Sequence, residues 1–118
     1  MSKRVLITGS SRGIGEAVAR RLAAAGYEVV LHGKSASEQL LNLQNELNLS
    51  ALKFDVADTQ AARAAIEADT QANGAYYAVV LNAGITRDNT FVAIEDEDWF
   101  GVVDTNLNGF YNVLKPAL

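Results

Sequence analysis

Thr8-Gly9-Ser10-Ser11-Arg12-Gly13-Ile14-Gly15 joins a continuous β-branched run, Arg4-Val5-Leu6-Ile7-Thr8, to a segment in which Ile14, Val18, Leu22 and Ala25 recur at helical spacing. The run reads as a strand buried on both faces, and Gly26 is a natural stop for the helix. A strand that turns tightly into a helix aims unpaired backbone N–H groups and the helix dipole at one point, an arrangement suited to a pyrophosphate. Glycine is needed there because a side chain would block the turn, the approach of a phosphate, or strand–helix packing. Outward from this stretch, short apolar runs alternate with longer helical patterns. Val29-Val30-Leu31 reads as a second buried strand, and Leu40, Leu43 and Leu47 mark one face of a second helix. Ala51-Leu52-Lys53-Phe54 is a weaker third strand ending at Asp55, and Asp58 or Thr59 can cap an alanine-rich helix through about Ala72. Tyr77-Ala78-Val79-Val80-Leu81 is a fourth strand, and Asp96 begins a long fourth helix towards the C-terminus. Strands separated by helices of this length imply right-handed crossovers: an α/β, Rossmann-type parallel sheet with helices on both faces.

Composition bounds the rest. The chain has 118 residues, ten basic and fourteen acidic groups for a net charge of −4, 49% hydrophobic residues and no cysteine. That suffices for one core and one domain over residues 1–118, not two, and it is not the composition of a disordered chain. The missing cysteines exclude a disulfide scaffold, a thiolate metal site and a thiol nucleophile, and they fit a reducing compartment. An isoelectric point near 4.8 argues against nucleic acid as the partner. Met1-Ser2-Lys3-Arg4 looks like the basic end of a signal peptide, but Val5-Leu6-Ile7 is too short an apolar region and meets Thr8-Gly9 at once. No stretch could span a bilayer. The expectation is a soluble, cytoplasmic protein without metal or membrane partner.

The glycine spacing is the T-G-x-x-x-G-I-G variant rather than G-x-G-x-x-G, and in this the chain resembles the short-chain dehydrogenase/reductases, closest to the 3-oxoacyl-(acyl carrier protein) reductases. The likeness extends over the whole chain. Asn82-Ala83-Gly84 matches the family's N-A-G motif after the fourth strand, and Asp55-Val56 stands where the family's aspartate meets adenine. Asn106 in Thr105-Asn106-Leu107 matches a catalytic asparagine that disrupts regular helix bonding and holds a water in a proton relay. Gly84-Ile85-Thr86-Arg87-Asp88-Asn89 is especially like the acyl-carrier-protein reductases, and almost as like the acetoacetyl-CoA reductases. Carried over residue by residue, the resemblance implies cofactor contacts from Gly9, Ser10, Ser11, Arg12, Gly13, Ile14 and Gly15 around the phosphates. Asp55 and Val56 would flank adenine, and Asn82, Ala83 and Gly84 would line the ribose side.

Cofactor preference follows from the end of the second strand. NAD binding usually requires an acidic residue there, whereas NADP requires positive charge for its 2′-phosphate. His32-Gly33-Lys34-Ser35 offers no carboxylate, and Arg12 and Lys34 together resemble the NADP pattern. His32 is the only histidine, has no partner set for a metal or a triad, and receives no chemistry.

The family's catalytic Ser and Tyr-x-x-x-Lys pair, on a fifth strand and its following helix, have no counterpart in register. Tyr111-Asn112-Val113-Leu114-Lys115 spells the pattern, but only five residues beyond Asn106 on the same helix, so Tyr111 reads as a packing residue. The chain is therefore expected to be the dinucleotide-binding half of an NADPH-dependent 3-oxoacyl-thioester reductase, truncated after about four βα units and inactive alone. The full-length parent would take an acyl carrier protein or CoA thioester. Two other readings stand beside it: an acetoacetyl-CoA or other short-chain reductase, and a non-catalytic, self-associating nucleotide-binding fragment. A phosphate-accepting receiver domain would explain Asp55 but needs an acidic pair where Thr8-Gly9 stands.

The last helix carries two apolar stripes, Phe100, Val103, Leu107, Tyr111, Leu114 and Trp99, Val102, Phe110, Val113. A helix covering a sheet needs one such face. In the family this helix also packs against its counterpart in a neighbouring subunit, and the fourth strand would lose its fifth-strand neighbour. A homo-oligomer is expected.

Overall fold

Alternation within the apolar runs decides how the sheet is covered. The computed structural model describes residues 3–85, 87 and 89–118. β1 (Arg4–Ile7), β2 (Glu28–Gly33), β3 (Ser50–Lys53) and β4 (Ala78–Val80) form one parallel sheet in the order β3-β2-β1-β4. Val5, Ile7, Val29 and Leu31 point to one face, where α1 (Gly13–Ala24) and α2 (Glu38–Leu47) cover them through Ala19, Leu40 and Leu43. Leu6 and Val30 point to the other, against Ala62 and Ile66 of α3 (Thr59–Asn73) and Val113 and Ala117 of α5 (Gly109–Ala117). With both faces covered, β1 is buried along its whole length, which explains why its sequence is a continuous apolar run and not an alternating one. Each fully buried Leu or Ile here contributes about 1.5–3 kcal/mol by area.

Element boundaries shift from the sequence expectations by a residue or two, as fraying ends do. β1 stops before Thr8, the third strand starts at Ser50, and the fourth is only Ala78–Val80. Between the two possible caps of α3, Asp58 does the work: its Oδ1 accepts the N–H of Ala61 at 3.0 Å.

The fourth helix differs more. It runs from Asp96 to Ala117 without a break, but α4 (Asp96–Val102) widens into a π-helical stretch, Val103–Asn108, before α5, and a short 3₁₀ turn at Phe91–Ala93 precedes it. The irregular helix bonding expected at Asn106 is therefore present. The wider turn lets Gly109 approach the loop after β3 so closely that a Cβ there would lie 2.8 Å from Cγ2 of Val56.

Only part of the two apolar stripes is covered within this chain. Val113 is buried, while Trp99, Phe100, Leu107, Phe110 and Tyr111 are all at least half exposed. The Tyr111 ring is uncovered within this chain and lies 5.6 Å from Lys115 Nζ. β4 forms an edge of the sheet.

At the opposite end of the strands from the glycine turn, the Arg4 side chain is buried at the foot of β1. It donates to Glu28 at 2.9 Å, to Asp69 at 2.7 Å and to the carbonyl of Gly74. Asp69 also accepts from Asn73 at 3.0 Å and from the Tyr76 hydroxyl. Burial pushes the Asp69 carboxyl pKa up, but the bonds from Tyr76, Arg4 and Asn73 outweigh it and hold the group below its usual value.

Candidate functional site

In an open parallel sheet, a crevice forms where successive crossovers leave in opposite directions. Here β2 lies on one side of β1 and β4 on the other, so that point is the C-terminal end of β1, where the glycine turn begins. A cleft of about 550 Å³ opens there, within the usual range for a small-molecule site.

The turn is fixed from below. Thr8 Oγ1 accepts the N–H groups of both Asn82 and Ala83 at 3.0 Å, and Asn82 Nδ2 donates to the Gly9 carbonyl at 3.1 Å. Asn82 therefore ties the turn to the end of β4, a place where a bare Asn-x-Gly would be no more than a turn signal. The three reasons for glycine separate cleanly. Gly9 has a positive φ of 65°, and a Cβ there would meet Ala83 Cα at 2.9 Å. Gly15 packs so closely that a Cβ would lie 2.3 Å from the Gly9 carbonyl oxygen. Gly13 combines a positive φ of 60° with open space, because it faces the cleft.

The N–H groups that open α1 have no partner within the helix and carry its positive end. Ser11, Arg12 and Gly13 line the cleft beside Gly9. Lys34, just after β2, and Asp55, just after β3, face each other at 3.6 Å across the same rim. Asp55 Oδ1 also accepts the N–H of Ala57 at 2.9 Å, which sets the loop carrying Val56. Val56, Asn82, Ala83 and Gly84 complete the wall. Ten of the thirteen residues expected to touch a cofactor thus come together around one space.

The other three do not line it. Ser10 is fully buried under the turn, where its Oγ accepts the His32 N–H at 2.8 Å and its own N–H donates to the His32 carbonyl at 2.9 Å. Its side chain holds the turn and does not reach the cleft. Gly15 lies beneath the turn, and the Ile14 side chain points outward, 76% exposed. Asn106 lies beyond Gly84, where the cleft continues past Arg12, Ile85 and Arg87. Its amide takes the Ile85 N–H and gives to the Ile85 carbonyl, both at 2.8 Å. In this chain it pins the segment after Asn82-Ala83-Gly84. Thr86 and Asp88 of that segment lie outside the described residues.

Two positions were passed over in the sequence. His32 is buried, with Nδ1 accepting the Gly9 N–H at 3.0 Å and Nε2 against the Phe54 carbonyl at 2.8 Å. Burial pushes its pKa below the usual histidine value, despite the Phe54 carbonyl and the nearby Asp55 carboxylate. Asn112, also buried, donates to the Val56 carbonyl at 2.9 Å and accepts from the Thr59 hydroxyl at 3.0 Å. In both cases the available signal was a lone polar residue inside an apolar run, Val29-Val30-Leu31-His32 and Phe110-Tyr111-Asn112-Val113-Leu114. Among the described residues no group of acidic or histidine side chains could hold a metal, and no helix is long and apolar enough to cross a membrane.

A family model described as short chain dehydrogenase matches residues 3–118. A 3-oxoacyl-[acyl-carrier-protein] reductase of Aggregatibacter actinomycetemcomitans is 53% identical over all of this chain and 51% of its own length. An acetoacetyl-CoA reductase of Paracoccus denitrificans is 37% identical over 99% of this chain and 48% of its own length. The crystal structure of a gluconate 5-dehydrogenase from Burkholderia cenocepacia, in complex with NADP and tartrate, superposes with a TM-score of 0.91 at 36% identity. That likeness covers 99% of this chain and 48% of the other. The chain spans about half the length of the relatives it matches.

Proposed function

Because the chain belongs to the short-chain dehydrogenase family, we propose that it is the dinucleotide-binding part of an NADPH-dependent reductase acting on a 3-oxoacyl thioester carried by acyl carrier protein. The observation that carries the binding half of this reading is the glycine turn at the crossover point, with Gly13 open to the cleft and Gly9 and Gly15 packed beneath it. The substrate half rests on the likeness to the 53% identical reductase. The acetoacetyl-CoA reductase keeps a CoA thioester as the second reading, on the same chemistry with a different carrier. The cytoplasmic setting belongs to the same proposal.

The residues present fit the cofactor. Backbone N–H groups from Ser11 to Gly15 would hold the pyrophosphate at the helix start, where a cradle without side chains stands open at Gly13. Arg12 and Lys34 would hold the 2′-phosphate, with Lys34 turning from Asp55 to meet it. Asp55 and Val56 would bound adenine, and Asn82, Ala83 and Gly84 would line the ribose side. Bound NADPH supplies a hydride for reduction of the 3-oxo group. Asn106 fixes the Ile85 backbone at the far end of the cleft and, with its neighbours, would position a proton-carrying water as in the family it belongs to.

The test is titration calorimetry of the 118-residue chain with NADP⁺ and NAD⁺, beside a spectrophotometric assay of NADPH oxidation with acetoacetyl thioesters. Weak binding with preference for NADP⁺ is expected, without turnover, because no Tyr–Lys pair stands in register. Arg12→Ala with Lys34→Ala should weaken NADP⁺ about tenfold or more while leaving NAD⁺ nearly unchanged, as loss of charged phosphate contacts implies. Equal affinity for the two cofactors in the unmutated chain would refute the NADP assignment.

Self-association belongs to the same proposal, supported by the uncovered Trp99, Phe100, Leu107, Phe110 and Tyr111 and by the edge strand β4. Light scattering at micromolar concentration should give a dimer or larger species for the wild type and a smaller one for Phe110→Glu. A monodisperse wild-type monomer would refute it.

A further inference from the structure

Three separate segments meet at the only histidine. The Gly9 N–H can only donate and the Phe54 carbonyl can only accept, and they address the two ring nitrogens of His32 at 3.0 and 2.8 Å. Both contacts are satisfied by one form alone, the neutral imidazole with its proton on Nε2. The backbone of the same residue exchanges three hydrogen bonds with Ser10, so the next residue of the turn is attached to it as well. Gly9 sits at a positive φ with its carbonyl taken by Asn82. With its N–H taken by His32, both polar groups of this residue are committed, and the orientation of the turn above it is set.

We infer that His32, as the neutral Nε2–H tautomer, is the positioning residue of the glycine turn, holding the Gly9 peptide so that the following N–H groups converge on a phosphate. The inference rests on the dinucleotide reading of the cleft for its purpose, but not for its geometry. His32 also joins the turn to the Phe54 carbonyl, one residue before Asp55, so the phosphate side and the adenine side of the cleft are held by a single ring. A second proton would turn Nδ1 into a donor facing the Gly9 N–H, and the turn would have to open. Burial works against that proton, and the Phe54 carbonyl and Asp55 carboxylate favour it. The charged groups sharing the cleft with His32 are Asp55 after β3, Lys34 after β2, and Arg12 and Arg87 towards its mouth.

Two substitutions separate positioning from general support of the core. The Oδ1 of His32→Asn can take the place of Nδ1 and accept the Gly9 N–H. His32→Gln reaches the Phe54 carbonyl but leaves the Gly9 N–H without an acceptor. The experiment is nitrogen-15 NMR of the full chain and both variants at neutral pH, reading the imidazole nitrogens and the exchange rate of the Gly9 amide, followed by NADP⁺ titration of each. An unprotonated Nδ1, a Gly9 amide protected in wild type and His32→Asn but exchanging rapidly in His32→Gln, and NADP⁺ affinity lowered about three- to tenfold only in His32→Gln would support the assignment. An Nδ1–H tautomer, or equal protection of the Gly9 amide in the two variants, would overturn it. If the wild type ignores NADP⁺ while the amide pattern holds, the dinucleotide reading fails and the positioning role of His32 stands.

Discussion

Gly15→Ala is expected to destabilise the chain by about 3 kcal/mol or more and to remove NADP⁺ binding with it. The added Cβ would lie 2.3 Å from the Gly9 carbonyl oxygen, 2.6 Å from Asn82 Nδ2 and 2.9 Å from Ser10 Cα. Two of these are backbone atoms of the turn and the third is the side chain that ties the turn to β4, so no flexible group can move aside. Overpacking of this kind typically costs about 1–3 kcal/mol where neighbours can shift, and here the shift required is that of the glycine turn itself. Gly13→Ala is the control. It meets nothing within 4 Å, and its penalty is the positive φ alone, about 1–2 kcal/mol for a residue with a Cβ. Urea unfolding of the two variants, with NADP⁺ titration beside it, should rank Gly15→Ala as the more damaging. The reverse order would mean that the turn does not pack as described.

Asp69→Ala should be comparably severe without touching the cleft. It removes the carboxylate that faces the buried Arg4 guanidinium at 2.7 Å, together with the acceptor of Tyr76 and Asn73. Removing one partner of a buried ion pair usually costs about 3–5 kcal/mol; Arg4 keeps Glu28 and the Gly74 carbonyl, so the lower end of that range, about 3 kcal/mol, is expected. For a chain of this size that corresponds to a melting temperature lower by more than about 10 °C. The carboxyl pKa is held below its unfolded value, so its contribution is fully present above about pH 4, the unfolded pKa, and is lost as pH falls through the folded one. Calorimetric melts of wild type and Asp69→Asn down to pH 3 should therefore converge as the pH drops. A constant gap between them would show that the charge of Asp69 plays no part.

Much of the cleft was legible because its parts are local. A glycine at a positive φ, a strand that must turn into a helix, and the asparagine and glycine after β4 each leave a mark within a few residues. The likeness to a family then placed Asp55, Lys34 and Asn106 around the same point, and the cleft gathers all but Ser10, Ile14 and Gly15 of the expected contacts. Ser10 was misjudged because a serine in a phosphate turn reads the same whether its hydroxyl faces up or down. Only the position of β2 beneath the turn sends it to His32.

The sequence by itself determined the alternation of buried strands and amphipathic helices, the parallel sheet, and the glycine turn, since periodicity and backbone sterics act between near neighbours along the chain. Tertiary structure decided which polar residues hold those parts in place. His32 meets Gly9 across 23 positions, Arg4 meets Asp69 across 65, and Asn82 meets Gly9 across 73. A lone histidine, an arginine near the start of the chain and an aspartate late in a helix carry no spacing that announces a partner. They become a tautomer, an ion pair and a positioned turn only when burial removes water as the alternative partner, and then each must be met by the groups that folding has brought within hydrogen-bonding distance.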